Sequence, residues 1–197
     1  MSFKDLVNES MRTSSQIQQE KLDELEQDNK KAAEYILSVL KADILNKAHN
    51  GKINETRTLT TVVIPYCCED GPYGNIFETK TSYNVRRFNG WFGGFTDTHT
   101  STMIIHNLGR LDEVFNILRV HANNDGISIS DPFILCEITD YTDSLSAPKT
   151  IKRREKFYRK NRSLCATVKT VHRRGSLRGW HGEDAKLYLA LDYTYSE

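Results

Sequence analysis

Apolar residues recur along this chain with a period that changes from one stretch to the next. Over the first fifty positions they return every three or four residues: Phe3, Leu6, Val7 and Met11, then Ile17, Leu22, Leu25, Ala32, Ala33, Ile36, Leu37, Leu40 and Ile44, with Glu and Lys opposite. That period is helical. Ser2 with Asp5 three residues on resembles a capping box. Thr13, Ser14 and Ser15 form a polar interruption with a second candidate N-cap, and Asn50 and Gly51 supply a stop. A helix running unbroken from Ser15 to Ala48 would reach about 50 Å, longer than a domain of this size spans. Its more polar first half is therefore expected to project, to pack against a second copy, or to break near Asp28 and Asn29.

From Thr56 the period shortens to two. Val62, Val63 and Ile64 among threonines form a first β-branched strand that Pro65 ends, and Glu69 to Gly74 follow as a turn. Phe77, Thr79, Thr81, Tyr83 and Val85 alternate as a second strand. Gly90, Gly93 and Gly94 lead through a loop or bulge to a third, around Ser101 to His106. Helical spacing returns at Leu111, Val114, Phe115, Leu118 and Ala122, with Asp112 and Glu113 in the first turns and Arg119 and His121 near the end. Asn123, Asn124, Asp125 and Gly126 terminate it. Strand patterns resume at Ile127, from Phe133 to Ile138, and at Leu164, Ala166 and Val168. The last runs from Asp184 onward through Leu187, Leu189, Leu191, Tyr193 and Tyr195.

The pattern predicts an α+β fold: a long N-terminal helix, a mainly antiparallel sheet of five or six strands, and one central amphipathic helix packed on it. Residues 1–51 make the N-terminal helical segment and 52–197 the α+β domain, together one folding unit. At 38% hydrophobic residues, 197 positions can fill a core. No apolar run approaches the ~20 residues that cross a bilayer, and the opening residues lack a signal-peptide core, so no membrane partner and a cytoplasmic location are expected. Cys67, Cys68, Cys136 and Cys165 do not read as a disulfide framework in that setting, and the matches to Asn-x-Ser/Thr at Asn8, Asn54 and Asn161 then carry no meaning.

Charge changes the picture more than composition does. Twelve of the thirteen Lys and Arg of residues 149–197 lie between Lys149 and Arg178, where Glu155 is the only acid. Net charge is −2 over residues 1–48, −5 over 49–148 and +8 over 149–197, although the whole chain carries only +1. Lys152, Arg153, Arg154, Lys156, Arg159, Lys160 and Arg162 surround Phe157 and Tyr158, and Arg173, Arg174 and Arg178 follow. Such groups neutralise phosphates, and an exposed ring can stack on a base; a helix over 150–162 would wrap them around its whole cylinder. The plainer reading is that the cations balance the acidic remainder of the fold, or an acidic face of another subunit, with both rings buried.

Catalytic signals are sparse. His99-Thr100-Ser101 fits the H-x-[TS] element that two-histidine phosphodiesterases carry twice, but no other histidine has Ser or Thr two positions on. Asp97 and His99 share one side of a strand and could hold a metal or pair as acid and base; a hydrogen-bonded surface pair needs no third ligand. Cys67-Cys68 lacks the spacer of zinc knuckles. Trp180 to Asp184 reads as a Gly-rich turn that could carry a base at His181 or Glu183. Arg173-Arg174-Gly175-Ser176 suits a basophilic kinase only by pattern. Gly90 to Gly94 is followed by neither Lys nor a helix opening, so no nucleotide-phosphate loop is present. No cofactor and no metal are expected.

The expected function is that of a non-enzymatic intracellular binding protein whose C-terminal basic face contacts nucleic acid or another polyanion. The alternative is a protein-interaction or oligomerisation module, with a homodimer through the N-terminal helix and the basic face docked on an acidic protein surface. An enzyme with a dispersed site is the third and weakest.

Overall fold

The computed structural model describes residues 3–50, 59–64, 77–88, 95–141, 148–160, 163–175 and 179–195. Two helices and nine strands are formed there: α1 (Phe3–His49), β1 (Thr60–Val63), β2 (Phe77–Phe88), β3 (Phe95–Ile105), α2 (Leu108–Asn124), β4 (Ile127–Ile129), β5 (Phe133–Asp140), β6 (Lys149–Glu155), β7 (Tyr158–Lys160), β8 (Ser163–Gly175) and β9 (Gly179–Tyr195). The class is α+β, and every strand pairing is antiparallel. Six strands follow one path, β2-β3-β8-β9-β5-β6, while β1 and β4 add to β9 and β7 adds to β8. Strands β1 to β5, β8 and β9 fall on stretches that the alternation marks, whereas β6 and β7 lie in the basic segment, where it marks none.

Strands β8 and β9 pair only near their shared turn, from His172–Gly182 to Gly175–Gly179, and then separate. Beyond that hairpin β8 continues beside β3, and β9 beside β5. The core is built from inner-face residues of both: Met103, Ile105 and Ala166 on one side, Ile134, Leu187, Leu189 and Leu191 on the other, with Leu111, Phe115 and Leu118 of α2. All three leucines of β9 are buried, so the register inferred from their alternation holds. Strand β9 is longer than its apolar alternation, because Gly179 to Gly182 pair with β8; the turn expected over Trp180 to Asp184 is strand backbone.

Helix α2 carries the apolar face its periodicity sets, ends where the sequence pattern stops it, and gains a cap at its start. The Asn107 side chain accepts a hydrogen bond from the Arg110 backbone N–H at 3.0 Å, capping the first turn. Gly126, at φ 72°, takes the left-handed turn out of the helix that a Cβ would strain.

Helix α1 departs from expectation. It is one α-helix of 47 residues, about 70 Å at 1.5 Å per residue, and neither Thr13 to Ser15 nor Asp28 and Asn29 break it. Backbone hydrogen bonding along the helix satisfies those short polar residues without a cap, and Asn29 has a separate reason to stay helical. It is fully buried, donates to Glu113 Oε2 at 2.8 Å and accepts from Arg110 Nε at 2.8 Å. From Ser14 onward Asn29 is the first buried residue of α1, so the place where a break is expected is instead where the helix joins the body. Farther along, Lys41 pairs with Asp125 at 2.9 Å, so α1 and α2 run parallel. Tyr193 donates to Asp43 at 2.8 Å, and Lys47 binds the same carboxylate.

Candidate functional site

The basic segment is strand, not helix. Residues Lys149 to Glu155 pair with β5 from Asp140 to Ile134, so successive side chains alternate between faces instead of wrapping a cylinder. Helix formation there would forfeit that ladder and leave seven residues of β5 unpaired on one edge.

Pairing with β5 brings acids to the cations of β6. Lys152 stands opposite Glu137 and reaches it at 3.4 Å. Arg153 donates to Glu155 at 2.5 Å, which raises its already high pKa further. Arg154 lies over the Phe133 ring, 3.9 Å from its centroid, and ends on the Asp192 carboxylate. Asp192 is buried and also accepts from Thr61 at 2.5 Å. A carboxylate out of water needs such partners, so Arg154 is part of the fold. Of the cations in β6, Lys149 is exposed and has no ion pair among the described residues.

Strand β7 differs. Its partners across β8 are Ser163, Leu164 and Cys165, none of them acidic. Lys156, Arg159 and Lys160 are exposed and make no ion pair among the described residues. Alternation directs Tyr158 and Lys160 to the outer face, with Thr167 and Lys169 of β8. Tyr158 is exposed, and its hydroxyl lies 2.6 Å from Thr167 Oγ1. Sequence spacing presents Lys169 only as one polar partner in an alternating strand; the β7–β8 register makes it part of this face. Phe157 points the other way and packs against the core. Arg159 shares that side, opposite Leu164. Arg173 and Arg174 fall in β8, where the backbone alone is described, and Arg162 and Arg178 lie outside the described residues, as do Cys67, Cys68, Ser176 and the Gly90 to Gly94 loop.

His99 is the other polar feature of the inner face. It is largely buried, and its Nδ1 lies 3.8 Å from Asp184 Oδ1, a carboxylate carried by β9. Directly across stands Thr170, also buried. Sequence spacing offers Asp97 as the neighbour; the approach of β9 to β3 adds Asp184, 85 positions away. Among the described residues no group of three His, Cys, Asp or Glu is placed to hold a metal, and no helix is long and apolar enough to cross a membrane. Burial pushes the Cys136 thiol up to about 11, from an ordinary 9.0, with Glu155 adding to it; such a thiol is a poor nucleophile.

No family model matches the chain, and no curated protein matches it significantly. A solved X-ray structure, Northeast Structural Genomics Consortium target SoR45, is similar over 61% of this chain and 85% of that chain, at 11% identity and a TM-score of 0.23. A likeness that loose decides nothing about function.

Proposed function

We propose that the protein is a non-enzymatic intracellular, cytoplasmic binding protein whose C-terminal basic face contacts nucleic acid or another polyanion. The observation that supports it is the set of exposed cations around β7 and the outer face of β8, Lys156, Arg159, Lys160 and Lys169, which no acid among the described residues neutralises. Cations left over after internal pairing release counterions when phosphate binds, and they read backbone charge rather than base edges. Tyr158, exposed beside them, offers a ring for an unpaired base.

The test is a salt titration on duplex and single-stranded oligonucleotides. With about six phosphates neutralised, log K against log salt has a slope near −5 on duplex DNA, and sequence changes it little. Replacing Lys156, Lys160 and Lys169 by Ala should weaken all sequences alike. Unchanged retention by a folded variant would refute this face as the binding surface.

A second reading, an oligomerisation module working through α1, is favoured by one observation. Every residue from Ser14 to Asp28 is exposed, including Leu22 at 59% and Leu25 at 39%.

A further inference from the structure

The arm of α1 before Asn29 has a companion feature elsewhere in the fold. Helix α2 is flanked on one side by α1, through Arg110 and Glu113. Its other flank borders a cleft of about 500 Å³ that runs to Phe157 and Leu164. Leu108, Leu111, Phe115 and Phe157 supply an apolar floor, and clefts of roughly 300–1,000 Å³ seat whole small molecules. The α2 wall carries Asp112, exposed and without an ion pair among the described residues. The Arg119–Asp131 ion pair lines the same wall. Across the cleft Arg159, outside the lining itself, shares the side of its strand neighbour Leu164 and is likewise without an ion pair among the described residues.

The arm is the matching shape. Leu22 and Leu25, three apart, share one face of the helix. At about 100° per residue Lys21 borders that face on one flank and Glu26 borders it on the other. Residues 14–28 hold five acids and one lysine. Pairing one arm with a second arm would bring two such acidic helices together, which like charges oppose. Seating the arm in the cleft instead sets Leu22 and Leu25 on the apolar floor, Lys21 toward Asp112, and Glu26 toward Arg159. The present partner of Glu26 is Lys30, at 2.7 Å on an exposed surface, a contact worth little. Because α1 is unbroken from Phe3 to His49, no hinge returns the arm to its own body.

We propose that the α2–β7 cleft receives the α1 arm of a second copy of this chain. The proposal rests on the oligomerisation reading and names the surface that reading lacks. It takes Arg159 out of the polyanion set but leaves Lys160 and Lys169 on the outer face of β7 and β8 open, so polyanion binding and self-association share one residue and are otherwise separable.

Sedimentation of the full chain at about 100 μM should show self-association by mass action. Leu25→Asp and Arg159→Glu, both at exposed positions, should each weaken it by about tenfold, and combining Arg159→Glu with Glu26→Arg should recover it. In a background with Cys67 and Cys68 replaced by Ser, a Leu25→Cys chain mixed with an Asn116→Cys chain should form the mixed disulfide. A monomer at that concentration overturns both this proposal and the oligomerisation reading. Self-association that ignores Arg159→Glu, with disulfides formed only between two Leu25→Cys chains, overturns the cleft while leaving an arm-to-arm oligomer.

Discussion

Strands β6 and β7 are consecutive pieces of one basic segment, similar in composition and almost without acids, yet their cations meet different surroundings. Of those in β6, Lys152 and Arg154 are drawn to acids of other strands, Glu137 on β5 and Asp192 on β9, while Arg153 pairs with Glu155 of its own strand and Lys149 has no ion pair among the described residues. Those of β7 face a stretch of β8 that offers a serine, a leucine and a cysteine. A run of positive charge therefore divides into a structural part and an available part, and the division is made by the partner strand. Counting charges along the chain treats the two alike.

The largest test of that division is Arg154→Ala. It takes the guanidinium from the buried Asp192 carboxylate, leaves it the Thr61 hydroxyl, and should cost about 1–3 kcal/mol, seen as a lower denaturant midpoint. If that variant kept full stability and lost polyanion affinity instead, β6 would belong with β7.

The two rings of the segment should separate next. Phe157→Ala removes a side chain packed against the core and should cost about 1–2 kcal/mol, whereas Tyr158→Ala should stay within about 0.5 kcal/mol. Tyr158→Ala should instead weaken single-strand binding more than duplex binding. Equal destabilisation by both would place Tyr158 in the fold with Arg154.

A third effect lies beneath β6. Cys136, directly across from Arg153, has its thiol raised to about 11, and Tyr193 is raised above its ordinary 10.0 by burial and by its bond to the Asp43 carboxylate. Both groups are neutral when protonated, and the folded state holds those protons more tightly. Their stabilisation is thus complete below about pH 9 and declines as pH rises through the raised values, since the unfolded chain releases protons that the native state keeps. Urea midpoints should be level near neutrality and fall from about pH 9 upward; a profile that stayed flat across the alkaline range would contradict it.

The smallest effect on stability belongs to the outer cations. Lys156→Ala, Lys160→Ala and Lys169→Ala together should leave the fold within about 0.5 kcal/mol per site. They should flatten the salt slope on duplex DNA by about 3, near 0.9 for each phosphate no longer neutralised. Reduced stability without a change of slope would assign β7 the structural role of β6.

The sequence by itself determined what periodicity can carry. Leu187, Leu189 and Leu191 alternate and are buried, α2 ends at its left-handed exit at Gly126, and the α+β class follows from one long helical stretch ahead of many strands. These signals are local, because a two- or four-residue spacing decides which face a side chain takes. Tertiary structure decided the rest. Only the packing of α1 on α2 makes Asn29 a buried link between Arg110 and Glu113 instead of the start of a helix break. Only strand pairing could join His99 to Asp184, add Lys169 to Lys160, or assign Arg154 to Asp192. Each joins distant positions, and the energy of a charge depends on what stands within a few ångströms of it, which no count along the chain contains.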